Sequence, residues 1–429
     1  MSDYPSLHSN EIYPIPLEKG FLVYSPLSEH FFLSDENDVA KMEEYAKNGV
    51  GTADVKELLD TLLAEQTEKR TIARKNDISQ LHKLTILPNY TCNFNCSYCY
   101  SAQGRSSEKI DLKKALVGID FFINKKRTAL NELWLAIVGG GEPFLSIDIV
   151  SEIIRYARQK AHEQGFKLGI GLTTNGSVYD KELSKIMIDN HVSLGVSFEA
   201  LKDIQNAQRQ DYDKVSAVID NYLNDGVDVS VKSIITPNTT KRLVEMVEHL
   251  HRRFPKVKKY KLQIVEDPSL FAVEENMRNF YAQFTEHFFE AEKAGRNYGI
   301  DVYVLTAKYI DMLIEHYCGG EMCITPDGSI TICHRISSPK ETGYTHFVYG
   351  KIDEKGSVMI DNEKFKKLIA YDIERQPKCK DCFAKWHCGG GCFAQSQIYS
   401  ENQLDIICDW TRDFTKKRLL GSKVFLERR

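Results

Sequence analysis

The chain lacks any apolar run long enough to cross a bilayer, and its start, MSDYPSLHSN, is polar. Neither a membrane span nor a secretory signal is therefore expected, and the expected location is the cytoplasm. Net charge is also small, at −4 over 429 residues, and the basic runs are short and scattered (Lys125, Lys126, Arg127; Lys416, Lys417, Arg418). Such runs read as solvated faces and argue against general nucleic-acid affinity. No cysteine stands between Cys99 and Cys318; three of the eleven lie in one short segment and the rest follow residue 317. Thiols grouped in this way point to metal rather than disulfides. The hydrophobic fraction of 42% over this length is enough for two or three domains with a buried core.

What is present is concentrated first in residues 92–99, CNFNCSYC, where Cys92, Cys96 and Cys99 follow a Cys-x3-Cys-x2-Cys spacing. Three thiolates in one loop can ligate three irons of a cubane cluster and leave the fourth open to a small molecule. A structural zinc site normally closes all four positions, and no further Cys or His lies near in sequence. The segment, with Tyr98 just before the third cysteine, resembles the signature of radical SAM enzymes. The resemblance implies a 4Fe-4S cluster, S-adenosylmethionine bound at the open iron, and a 5'-deoxyadenosyl radical that abstracts hydrogen from C–H bonds.

The second group begins at Cys318 and Cys323 and runs through CITPDGSITIC to Cys333, with Pro326, Asp327 and Gly328 as a turn between two short strands. It continues as Cys379-x2-Cys382-x5-Cys388-x3-Cys392, broken by Gly389, Gly390 and Gly391, and ends at Cys408. Eight thiolates suffice to close two 4Fe-4S clusters, and a tandem zinc ribbon is the competing reading. This spacing resembles the SPASM extension of radical SAM enzymes that modify peptides and proteins. By that resemblance Cys318, Cys323, Cys333 and Cys392 hold one auxiliary cluster and Cys379, Cys382, Cys388 and Cys408 the other.

Between the two cysteine groups, strand-like apolar runs alternate with amphipathic helical stretches, at residues 84–88, 133–140, 167–175, 193–199, 228–235 and 260–266. Six such units predict an α/β fold, a partial (β/α)6 TIM-type barrel, whose ligands bind at the carboxyl ends of the strands. After the second strand stands GGGEP; Gly140, Gly141, Glu142 and Pro143 match the family segment that holds the methionine amino group. Asn175 ends the third strand near the implied cofactor. Residues 197–209, SFEALKDIQNAQR, resemble the family segment Ser-x-Asp-Gly that closes on an arginine, so Ser197 and Arg209 are implied SAM contacts. Glu199 and Ala200 replace the usual Asp-Gly. Gln263, Ile264 and Val265 border the expected adenine position, with core packing the alternative for Ile264 and Val265.

The first eighty residues predict three short strands and two amphipathic helices, with Asp54 or Thr52 capping the second helix. They resemble the winged-helix-like leader-binding element of ribosomal-peptide (RiPP) maturases, and a structural cap on the barrel fits equally. The chain thus divides into 1–80 for leader recognition, 81–310 for the radical SAM barrel and 311–429 for SPASM. The implied function is a peptide maturase, an oxidoreductase installing an oxidative cross-link, carbon–carbon in preference to thioether because eight thiols would leave no open auxiliary iron. Implied cofactors are three 4Fe-4S clusters and S-adenosylmethionine. Implied partners are a leader-bearing precursor peptide and a reductant such as flavodoxin or ferredoxin. An anaerobic sulfatase maturase is the alternative; such enzymes place an acidic base after the third cysteine of the SPASM hairpin, where this chain has His334. That histidine is a candidate catalytic base or a cover over a cluster. A non-enzymatic metal-binding scaffold is the remaining class.

Overall fold

A computed structural model describes residues 5–374 and 376–421; the outermost parts of the expected 1–80 and 311–429 segments lie outside the described residues. Three strands open the fold, β1 (Tyr13–Pro16), β2 (Phe21–Ser25) and β3 (His30–Ser34), as an antiparallel meander. Alternation along β2 decides what each face buries. Val23 turns to a core with Val39, Met42, Val55, Leu59 and Leu62 from the two following helices. Leu22 and Tyr24 turn the other way, to Tyr13, Ile15 and Leu419 of the C-terminal helix Glu401–Leu420. Full burial of each such aliphatic stabilises the fold by about 1.5–3 kcal/mol. The first of these helices, Glu36–Asn48, starts on Asp35, whose carboxylate accepts from the Asp38 amide at 2.8 Å. The second starts at Ala53, with Thr52 in the capping position but without a side-chain bond.

The main sheet holds β4 (Lys83–Ile86), β5 (Glu132–Ile137), β6 (Lys167–Thr174), β7 (Val192–Ser197), β8 (Asp228–Ile235), β9 (Lys259–Ile264) and β10 (Asp301–Tyr303), all parallel and adjacent in chain order. The six predicted strands are present, and β10 adds a seventh. Helices link each strand to the next, as parallel neighbours require. Along β6 and β8 every second residue is buried against these helices, while the alternate, half-buried residues look inward.

The Cys318–Cys333 segment forms the expected hairpin, β11 (Met322–Ile324) and β12 (Ser329–Thr331), with Gly328 at φ 81° in its turn. Its position extends the barrel: β11 pairs in parallel with β4, and β12, β13 (Val348–Ile352) and β14 (Val358–Ile360) follow antiparallel. One eleven-stranded sheet therefore carries the barrel and the hairpin together. No helix among the described residues is long and apolar enough to cross a membrane.

Candidate active site

The carboxyl ends of β4 to β9 surround a cavity of about 180 Å³. Cys92, Cys96 and Cys99 line it from the loop after β4, and every residue read as a SAM contact lines it too: Tyr98, Gly140, Gly141, Glu142, Asn175, Ser197, Arg209 and Ile264. The cysteine loop is tied down by the Ser97 amide, which donates to the Gln208 carbonyl at 2.9 Å, and by Asn175 Nδ2, which lies 3.8 Å from Cys92 Sγ.

The GGGE turn packs directly on this loop. The amides of Gly141 and Glu142 donate to the carbonyls of Asn89 and Thr91 at 3.0 and 2.7 Å. A Cβ on Gly141 would stand 2.0 Å from the Thr91 oxygen, so any side chain there would push the turn off the cysteine loop. Glu142 is buried and already occupied. Its Oε1 accepts from Thr174 Oγ1 at 2.6 Å and the Phe144 amide at 3.0 Å, and its Oε2 from the Asn175 amide at 2.6 Å. This carboxylate thus braces the turn against β6, with one lone-pair position left over.

On the opposite wall the departure at Glu199 and Ala200 acquires a structural account. Ala200 adopts φ 58°, the conformation the usual glycine would supply, at a cost of about 1–2 kcal/mol for an alanine. Glu199 is fully buried; its carboxylate accepts from the Tyr98 hydroxyl and, at 2.9 Å, from the Ile234 amide. Arg209 Nη1 donates to the Tyr98 oxygen at 2.9 Å and lies 4.0 Å from Glu199. Burial pushes Glu199 up to about 7, against the pull of Arg209. Arg209 Nε is buried and has no partner among the described residues. This network was not legible in the motif, which marks Tyr98 and Arg209 but not what joins them.

A second cavity of about 480 Å³ adjoins the first; Gln263, Ile264, Glu266, His334 and Arg335 line both. Cys318, Cys333 and Cys392 line this second space and lie in one another's electrostatic field. Cys323 is not among the residues that line this space. It is fully buried, paired in register with Thr331 and packed in a small cluster with Leu87 and Tyr90. Cys379, Cys382, Cys388 and Cys408 form a separate group, each close enough to influence its neighbours. Gly389 links the groups: its carbonyl accepts from the Tyr317 amide at 3.0 Å, and a Cβ there would meet the same amide at 2.4 Å.

His334 faces both cavities. Its Nδ1 and its amide each lie 2.6 Å from Glu321 Oε1, while Glu321 Oε2 takes Lys83 at 2.6 Å and Thr85 at 2.7 Å. Burial alone would raise Glu321; His334 and Lys83 overcome it and hold the carboxylate well below its usual range. The Cys333 thiol, the His334 ring and this carboxylate lie within 4.8 Å of one another.

Comparison with known proteins agrees with this geometry. Residues 86–255 match the family model described as the radical SAM superfamily. The cysteine-type anaerobic sulfatase-maturating enzyme of Clostridium perfringens is 22% identical over 354 residues, covering 75% of this chain and 92% of that enzyme. Among solved structures, native anSMEcpe with bound AdoMet and a peptide superposes with a TM-score of 0.58 at 16% identity, over 79% of this chain and 98% of the other. Streptococcus suis SuiB bound to precursor peptide SuiA superposes with a TM-score of 0.56 at 14% identity, over 92% and 97%. At these identities the superpositions establish a shared fold. The cysteine loop, the GGGE turn beside it and the matched segment together identify residues 86–255 as a radical SAM domain, and the chain as an enzyme of SAM-dependent radical chemistry.

Proposed function

We propose that this enzyme is a maturase that takes a hydrogen atom from a side chain of a ribosomally made precursor peptide and installs an oxidative cross-link. Cys92, Cys96 and Cys99 would hold a 4Fe-4S cluster, and Gly140, Gly141, Glu142, Asn175, Ser197, Arg209 and Ile264 would receive S-adenosylmethionine in the same cavity. The residues fit these groups: three thiols converge without a fourth cysteine, the turn beside them tolerates no side chain, and a buried guanidinium nitrogen lacks a partner. When bound and reduced, this pair supplies a 5'-deoxyadenosyl radical able to take hydrogen from an unactivated C–H bond.

The observation that carries the reading is the continuity of the two cavities, which joins the three-thiol loop to the Cys318, Cys333 and Cys392 group along a shared wall. These three thiols, and separately Cys379, Cys382, Cys388 and Cys408, are proposed to hold two auxiliary 4Fe-4S clusters, which supply an electron acceptor for an oxidative product. With Cys323 packed in the cluster with Leu87 and Tyr90, a count of eight closing thiols does not by itself distinguish a carbon–carbon bond from a thioether. Glu321 fixes Nδ1 of His334, leaving Nε2 as the atom to accept a substrate proton.

The unpaired edge of β3 is proposed to take the leader as an added strand. The wider coverage by the SuiB fold, 92% of this chain against 79% for anSMEcpe, supports a recognition role for the first eighty residues. Flavodoxin or ferredoxin is the proposed reductant. The sulfatase-maturase reading draws on the match to the Clostridium perfringens enzyme, and His334 in place of an acidic base stands against it.

The test is anaerobic reaction of the reconstituted enzyme with SAM, a reductant and peptides from short reading frames beside the gene, read by mass spectrometry. A peptide lighter by two hydrogens supports the proposal. Formylglycine in a sulfatase peptide favours the second reading, and SAM cleavage with neither product overturns the first.

A further inference from the structure

Every acidic side chain lining the two cavities is already engaged. Glu142 braces the GGGE turn, Glu266 pairs with Arg335, and Glu321 holds Lys83 and His334. Glu199, just behind the wall, is held by Tyr98 and the Ile234 amide. Two ammonium groups are left over. Lys232 on β8 and Lys261 on β9 are register partners, so their side chains leave the sheet on the same face from strands about 4.8 Å apart. Lys232 lines the first cavity and Lys261 the second, with Gln263 and Ile264 close by in the shared wall. Among the described residues neither ammonium makes a hydrogen bond or ion pair with a carboxylate.

Two neighbouring lysines without an ion-pair partner among the described residues are costly to keep in a half-buried wall, and a function that uses their ammonium groups is the simplest reason to keep them. We propose that Lys232 and Lys261 bind a carboxylate of the substrate peptide, so that the segment acted on presents an aspartate or glutamate side chain, or its own C-terminal carboxylate, to the passage between the two thiol groups. This rests on the peptide-maturase reading and adds a charge requirement to it. Arg209 lies nearer the three-thiol loop, where it acts electrostatically on Cys96, and Lys261 belongs to the far cavity.

Reconstituted, immobilised full-length enzyme with SAM is offered two anaerobic octapeptide pools of Gly, Ser, Ala, Tyr and Lys with one fully randomised position. One pool is C-terminally amidated and the other free, and retained peptides are sequenced by mass spectrometry. The expected result is enrichment of Asp and Glu at the randomised position in the amidated pool, or preferential retention of the free-acid pool, on the order of tenfold. Lys261→Gln and Lys232→Gln should each reduce this preference severalfold. Retention by the wild type without preference for a carboxylate overturns the proposal and leaves the maturase reading standing. If Lys261→Gln instead abolishes SAM binding, measured by equilibrium dialysis, the lysine belongs to the cofactor and the proposal fails. Retention of no peptide by the wild type counts against the maturase reading itself, and the proposal falls with it.

Discussion

The Tyr98 hydroxyl donates to the buried carboxylate of Glu199, joining the residue before the third motif cysteine to the loop that follows β7. Arg209 closes this link from the other side through the same hydroxyl at 2.9 Å. Replacing Glu199 with Ala leaves the Ile234 amide and the Tyr98 hydroxyl without an acceptor and Arg209 without its carboxylate. Each unsatisfied group costs about 1–3 kcal/mol. The expected outcome is weaker SAM binding, by tenfold or more in equilibrium dialysis, with the iron content of the first motif retained. Unchanged SAM affinity would reduce Glu199 to a packing residue.

Cys323→Ala should leave iron content after anaerobic reconstitution unchanged, since the thiol lies in an apolar cluster with Leu87 and Tyr90. Cys318→Ala, Cys333→Ala and Cys392→Ala should each lower it, by up to about four irons. Iron and sulfide analysis of the four variants checks this; a comparable loss in Cys323→Ala would restore Cys323 as a ligand.

Gly141→Ala places a methyl group 2.0 Å from the Thr91 carbonyl oxygen. The GGGE turn must then lift from the cysteine loop. SAM binding is expected to be lost, and the melting temperature to fall, without a change in cysteine content. Normal SAM affinity in this variant would mean that the turn does not line the cofactor.

Lys232 contributes a pH dependence whose sign follows from its place. Burial, then the neighbouring Lys261 and Arg209, lower its pKa from 10.5 to about 7. Between about pH 7 and 10.5 the unfolded chain holds a proton on this lysine that the folded chain does not, so its destabilising effect is full below pH 7 and fades as pH rises through that window. Lys232→Met should therefore raise the melting temperature most near pH 6 and least near pH 10. A gain that is independent of pH would show that the ammonium is not desolvated.

Much of this was legible in the sequence because local patterns carried it. Cys92, Cys96 and Cys99 are close in the chain, so their convergence needs no long-range information. The runs at 167–175 and 228–235 alternate strongly enough to fix β6 and β8. The short strand β10 and the pairing of β11 with β4 were not legible, the first being three residues long and the second joining segments more than two hundred residues apart. The packing of Cys323 against Leu87 and Tyr90 was not legible either, because spacing counts thiols and does not say which face of a strand they take. Lys232 and Lys261 were not legible for a related reason: a lysine at an alternate strand position reads as solvent-facing, whereas in a barrel that face is the interior.

The most direct test of the account compares wild type with a variant lacking Cys92, Cys96 and Cys99. Both are reconstituted anaerobically, reduced in the presence of S-adenosylmethionine and assayed for iron and for 5'-deoxyadenosine. The account predicts nucleoside from the wild type, and in the variant no nucleoside and about four fewer irons with the remaining iron retained. Equal nucleoside formation by both proteins, or none from a fully loaded wild type, would contradict it.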